Sequence, residues 1–288
     1  MSASLRHGDT GAQGEGSMQS IRVTEQADGT VDIAPLPLPT IQRRGVASAD
    51  AYRRQADGEP AGIDFNPNIS DAVRAITLLD GRFEGLASHP GSLLTFVISG
   101  EVSLAASPSK TVTLMPGDVL LTDEQSAGKV SVAVRNQCRL MQIGVPAEWP
   151  GPNAELPRTG PDTPRTSAAP KIKRIYKGGD DKAYFNDFTE LFPKTLDQWS
   201  DPHPLTGFRI LYWEKGSMDF HPCVTNQLAI VLAGGMEMHV GGGGGGAREA
   251  FSPGDVCLAE DRTGEGHRNV VHETLFVTVM VVETEHLW

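Results

Sequence analysis

Four side chains in the C-terminal half combine types and spacing suited to metal chemistry. His221, Cys223 and Gln227 lie within the stretch Gly216-Ser-Met-Asp-Phe-His-Pro-Cys-Val-Thr-Asn-Gln227, and His267 closes Gly264-Glu-Gly-His267. Offsets of two and four put His221, Cys223 and Gln227 on one face if their segment is a strand, where side chains repeat every second residue. His267 on a facing strand would complete the cluster. Imidazole nitrogens with an amide oxygen suit Fe(II), Mn(II) or Ni(II), whereas a thiolate at Cys223 tilts the set towards zinc or iron. A cysteine such as Cys223 is more often a small buried filler. Glu260 and Asp261 stand close to His267 in sequence. They are candidates for a catalytic base or for a group orienting a ligand histidine, with a solvated loop as the alternative.

Such a set needs rigid strands to hold it, and the composition supplies them. Thirty-two glycines and twenty prolines in 288 residues imply frequent turns, hence many short strands. The hydrophobic share of 39% and charged share of 21% fit a globular chain with an ordinary core. No apolar run is long enough to span a bilayer. The N-terminus lacks the apolar core of a secretory signal, so a cytoplasmic location is expected. A net charge of −11 with dispersed basic residues argues against nucleic-acid and anionic-membrane partners. Cys138, Cys223 and Cys257 are too few and scattered for a disulfide framework.

Residues 1–40 read as a disordered tail, rich in Gly and Ser at its start and ending in Pro35-Leu-Pro-Leu-Pro39. Residues 41–148 read as a first β-rich domain. Its segment Ala72–Leu79 is open between strand and short helix. Residues 149–170 form a Pro-, Gly- and Thr-rich linker, and 171–288 a second β-rich domain. Within it, Asp181–Phe192 is either a helix or a loop over the strands, and Gly241–Gly246 is a hairpin connection. That glycine run lacks the Lys-Ser/Thr of a phosphate loop, and no Gly-x-Ser-x-Gly is present.

The two halves repeat. Phe96-Val-Ile-Ser-Gly-Glu-Val-Ser-Leu104 parallels Ile230-Val-Leu-Ala-Gly-Gly-Met-Glu-Met238, and Pro116-Gly-Asp118 parallels Pro253-Gly-Asp255. The strand-end glycine precedes Pro-Gly-Asp by 16 residues in the first half and 19 in the second. A repeat of this length indicates duplicated domains.

Strand, turn glycine, alternating strand and Pro-Gly-Asp together resemble the cupin superfamily, and twice over a bicupin. The family's first motif, G-x5-H-x-H-x3,4-E-x6-G, is similar to Gly216-x4-His221-x-Cys223-x3-Gln227-x6-Gly234, with cysteine and glutamine replacing a histidine and the glutamate. His267 falls on the histidine of the second motif. The resemblance implies an all-β fold of two tandem antiparallel jelly-roll barrels. It also implies a metal held by His221, Gln227 and His267, with Cys223 beside them and Glu260 as candidate catalytic residue. Fe(II) is the first expectation for the ion, with Mn, Ni or Zn as alternatives. In the first half Leu93 and Val130 stand at ligand positions, and His89 alone could ligate, so that half is expected to be metal-free. The activity implied is a metal-dependent oxygenase or isomerase acting on a small organic molecule. The two replaced ligands favour a different class, a non-catalytic binder of a small metabolite. Pairing of exposed barrel edges would give a homodimer.

Overall fold

In the computed structural model, residues 17–43, 72–84, 91–123, 125–151, 154, 169–241 and 246–282 are described. They form sixteen strands and two single-turn 3-10 helices. The first half contains β1 (Ser20–Glu25), β2 (Val31–Pro35), β3 (Thr40–Arg43), β4 (Ala72–Leu78), β5 (Gly81–Glu84), β6 (Ser92–Ser107), β7 (Lys110–Leu114), β8 (Val119–Thr122) and β9 (Ser131–Val145). The second contains β10 (Ile172–Lys177), β11 (Ala183–Asp187), β12 (His203–His221), β13 (Gln227–Val240), β14 (Arg248–Phe251), β15 (Val256–Ala259) and β16 (His267–Val282). The all-β expectation holds. Ala72–Leu78 is a strand, while Ala183–Asp187 is a strand followed by a short 3-10 turn, Thr189–Leu191. No helix among the described residues is long and apolar enough to cross a membrane.

The duplication is visible in the pairing. β6 runs antiparallel to β9 and β8, as β13 does to β16 and β15. Each Pro-Gly-Asp turn does the same work. Asp118 accepts hydrogen bonds from the backbone N–H of Met115 (2.7 Å) and Gln19 (2.6 Å). Asp255 accepts from Ser252 N–H (2.8 Å) and Lys171 N–H (2.7 Å). The carboxylate thereby ties its own turn to the residue that opens β1 or β10, and these lie parallel to β8 and β15.

This geometry corrects the reading of residues 1–40 as a disordered tail. From Ser20 the chain is sheet: β1 and β2 form a hairpin equivalent to β10 and β11, and Val23, Leu36 and Leu38 are fully buried. Leu36 and Leu38, set between prolines, pack into the core while the prolines tolerate the edge position. Residues 1–16, and most of the span expected as a linker, lie outside the described residues, as do His89 and Gly242–Gly245.

Three apolar clusters organise the interior. One lies within the first half, around Leu104, Leu114, Val130 and Val132. A second lies within the second half, around Leu211, Met218, Met238 and Val277. The largest joins them: Leu94, Phe96 and Ile98 of β6 pack with Leu228, Ile230 and Leu232 of β13. Alternate residues of these strands therefore face an inner cluster and the junction, which explains why both read as unbroken apolar runs. At the junction the two turns interlock reciprocally. A Cβ added to Gly117 would stand 2.1 Å from the Leu232 carbonyl oxygen, and one added to Gly254 would stand 2.3 Å from that of Ile98. The halves also exchange segments. β3 pairs with Ile210–Trp213 of β12, and residues 197–200 bind along β4, with Ser200 N–H donating to Ala75.

Candidate metal centre

The candidate site occupies the interior of the second half, a cavity of about 60 Å³ walled by β12, β13, β15 and β16. His221, Cys223, Gln227 and His267 all line it. They do not share one strand. Pro222, lacking an N–H, ends β12 at His221, and a loop carries Cys223 before β13 opens at Gln227. The three residues at offsets of two and four thus reach one wall from a strand end, a loop and a strand start. Cys223 is held from outside the strand, by its N–H donating to the Asp261 carbonyl at 3.1 Å.

His221 faces inward because of a bulge. Arg209, Leu211 and Trp213 alternate inward along β12, and Met218 does so after a register shift between Glu214 and Gly216. A second shift between Met218 and His221 adds one residue and turns the imidazole back to the cavity, opposite His267. The two rings lie 4.8 Å apart, centroid to centroid. Gly266 permits this approach: with φ at +75°, a Cβ there would fall 1.9 Å from the His221 carbonyl oxygen.

Both imidazoles have defined tautomers. His221 Nδ1 lies 2.7 Å from the backbone oxygen of Asp219, which can only accept, so Nδ1 carries the proton. His267 Nδ1 donates to Asp261 Oδ2 at 2.8 Å, with Asp261 fully buried. When such an Nδ1-anchored ring is neutral, Nε2 is the nitrogen that carries the lone pair, the form that ligates a metal. Gln227 adds an amide from the start of β13, its Nε2 3.4 Å from Thr225 Oγ1.

A different set of acidic, thiol and imidazole groups also converges here. Cys223, Asp261 and His267 bring ligand atoms within 4.8 Å of one another. In this cluster Asp261 acts on its neighbours. Besides accepting from His267, it reinforces the effect of burial on Cys223, whose thiol is pushed well above its ordinary pKa by desolvation first and by the Asp261 charge and hydrogen bond second. Cys223 therefore sits in the cavity wall as a protonated thiol.

Glu260, expected as the catalytic residue, is corrected by the alternation of the chain. Its side chain turns outward to pair with Arg174 on β10, and it does not line the cavity. Asp261, one residue on, is the carboxylate that reaches His267. His239 also points away, its Nε2 3.1 Å from Glu237 on the half-exposed face of β13. Two cavity residues carried no signal in the sequence. Arg209 and Asn269 are both buried and line the same space, and their neighbours belong to no motif. In the first half Leu93 and Val130 are buried in apolar surroundings, without ligand chemistry.

No family model matches this chain, and no curated protein matches it. Solved structures with a similar course include a protein of unknown function of the DUF861 family from Pseudomonas syringae pv. tomato str. DC3000. It is 14% identical over 92% of this chain and 100% of that one, with a TM-score of 0.32. Bacillus subtilis oxalate decarboxylase, a protein with Mn(II) centres, is 14% identical over 74% of this chain and 69% of its own, with a TM-score of 0.27. Lactobacillus farciminis oxalate decarboxylase in a formate complex is 14% identical, over 74% and 78%, with a TM-score of 0.28. Likenesses of this size imply no shared chemistry.

Proposed function

We propose that the second half is a cupin-type metal centre and that the chain is a bicupin enzyme acting on a small organic molecule, by oxygenation or isomerisation. The observation that carries this reading is the paired tautomer: His221 and His267 each anchor Nδ1 elsewhere and keep Nε2 as the lone-pair nitrogen at one cavity. His221, Gln227 and His267 would hold the ion, and Asp261 would fix the His267 ring through its Nδ1–H. Neutral nitrogen and amide-oxygen donors would suit Fe(II) or Mn(II), whereas a thiolate at Cys223 would tilt the set towards zinc. A bound divalent ion would polarise a substrate oxygen or present open positions to small ligands. The apolar and thiol groups around it, among them Met218, Met238 and Cys257, keep bulk water from the same space.

A second reading, a non-catalytic binder of a small metabolite, is favoured by Gln227 and Cys223 standing where the family motif has glutamate and histidine. Elemental analysis of protein purified without chelator separates the two. About one divalent ion per chain, lost in His221→Ala/His267→Ala, is expected from the metal centre. Less than about a tenth of an ion per chain would remove it.

A further inference from the structure

The cavity wall is rich in sulfur. The chain has eight methionines and three cysteines, and five of these residues, Met218, Met236, Met238, Cys223 and Cys257, are buried around this one space. Strand register places two of the thioethers beside the imidazoles. Met218, Asn269 and Met238 stand opposite one another across β12, β16 and β13, and His221 pairs with His267 two residues away along β16. Residues at that spacing share a face, about 6–7 Å apart. Cys223 comes in from the loop, and its sulfur lies within 4.8 Å of a ring nitrogen of His267. The rings of His221 and His267 are themselves 4.8 Å apart. Two imidazoles, a thiol and thioethers thus meet at one cavity from three strands and a loop.

Methionine by itself is a common gap-filler. Beside two imidazoles and a thiol it completes a donor set with its own preference. Thioether sulfur is a soft ligand that selects copper, whereas zinc sites are built from thiolate, imidazole and carboxylate. Two histidines and a cysteine with a weakly held methionine form the set of copper electron-transfer centres, and copper heads the affinity order of the divalent ions. We propose that this cavity takes copper, held by His221 Nε2, His267 Nε2 and Cys223 Sγ, with a thioether of the Met218–Met238 rung as the weak fourth ligand. The Cys223 thiol gives up its proton to solvent as Cu(II) binds, and the copper–sulfur bond takes its place. The buried Asp261 carboxylate beside Cys223 and His267 favours a cation at this point. The assignment rests on the proposed function for His221 and His267 as ligands, and differs from it in replacing Gln227 by sulfur.

The test uses the full chain, stripped with chelator and loaded separately with Cu(II), Fe(II), Mn(II) or Zn(II), with metal content and visible absorption read on the same samples. About one copper per chain is expected, with the intense visible band of thiolate-to-copper charge transfer. Cys223→Ser should lose that band, and His267→Ala should weaken copper about tenfold or more. Met218→Leu/Met238→Leu nearly conserves side-chain volume. It should weaken Cu(I) about tenfold in competition with a chromogenic chelator, and leave Zn(II) affinity unchanged. Copper binding without the band, or an unchanged band in Cys223→Ser, would overturn the assignment. So would equal losses of Cu(I) and Zn(II) affinity in the methionine variant. If that variant fails to fold, the wild-type band and its loss in Cys223→Ser decide the matter. Uptake of Fe(II) or Mn(II) with no copper–sulfur band would remove copper and leave the metal centre standing, whereas failure to hold any of these ions removes both.

Discussion

His267 Nδ1 donates to Asp261 Oδ2 across 2.8 Å, in a position where ring and carboxylate are both almost wholly shielded from water. The bond fixes which nitrogen of His267 faces the cavity, and it joins the loop after β15 to the first residue of β16. In the proposed metal centre, Asp261 would thus set whether the His267 imidazole is ready to bind. Asp261→Asn should keep the shape but present the imidazole with an amide that can accept or donate. Metal affinity is then expected to fall about 10- to 100-fold, with a much smaller change in melting temperature. Competitive titration against a chelating dye reads the affinity, and unchanged affinity would mean that the bond is only structural.

The close approach at Gly266 supports a second expectation. Any Cβ there meets the His221 carbonyl oxygen at 1.9 Å, and φ is +75°. Gly266→Ala should cost about 1–3 kcal/mol of stability. It should also separate the two imidazoles, so metal uptake is lost even at temperatures where the variant is folded. Thermal melts with elemental analysis of the same preparation check both parts.

The three thiols give a prediction about reactivity. Burial raises the pKa of Cys138 and Cys257, and burial aided by Asp261 raises that of Cys223. An upward shift of a thiol means that the protonated, unreactive form dominates at about pH 7–8. Native protein should therefore show almost no reaction with Ellman's reagent at about pH 8, and denatured protein should show three thiols per chain. Rapid labelling of one cysteine in the native state would contradict the burial of that residue.

Asp255 leads to a pH-dependent expectation. Its pKa is raised, by desolvation first, against hydrogen bonds from Lys171 and Ser252 that lower it. A carboxyl raised above its unfolded value contributes stability that is fully present below the unfolded pKa, near about 4, and is lost as pH rises through the folded value. The stability of wild type relative to Asp255→Asn should therefore be greatest in acid and should decline from about pH 4 upwards. Denaturant melts of both proteins between about pH 3 and 7 measure the difference. A constant or rising difference would contradict the shift.

The junction between halves predicts the behaviour of fragments. Leu228, Ile230, Leu232, Val256 and Phe276 of the second half are buried against β6 and its neighbours, and β12 also borrows β3 as a partner. A fragment of residues 171–288 would expose that apolar face, and is expected to aggregate or to oligomerise. Co-expression with residues 17–151 should restore a soluble complex, which size-exclusion chromatography would reveal.

The duplication, the all-β class and the wall of His221, Cys223, Gln227 and His267 were legible in the residues themselves. Strand alternation, turn glycines and Pro-Gly-Asp are local signals, and local sterics and hydrogen bonding produce them. β1, which lies within the segment read as a disordered tail, was not legible there. Gln19 and Lys171 play one role, each donating its N–H to the aspartate of its half's Pro-Gly-Asp turn, but that equivalence shows only once the aspartates are seen to need a partner. The remainder depended on residues far apart in sequence. Glu260 and Asp261 are adjacent and chemically alike, and pairing with Arg174 on β10 is what sends one outward and leaves the other to His267. The bulge that aims His221, the loop that carries Cys223 and the meeting of Arg209 with Asn269 at one cavity all arise from strand register. Register is set by packing across the whole sheet, so a local stretch of chain does not contain it.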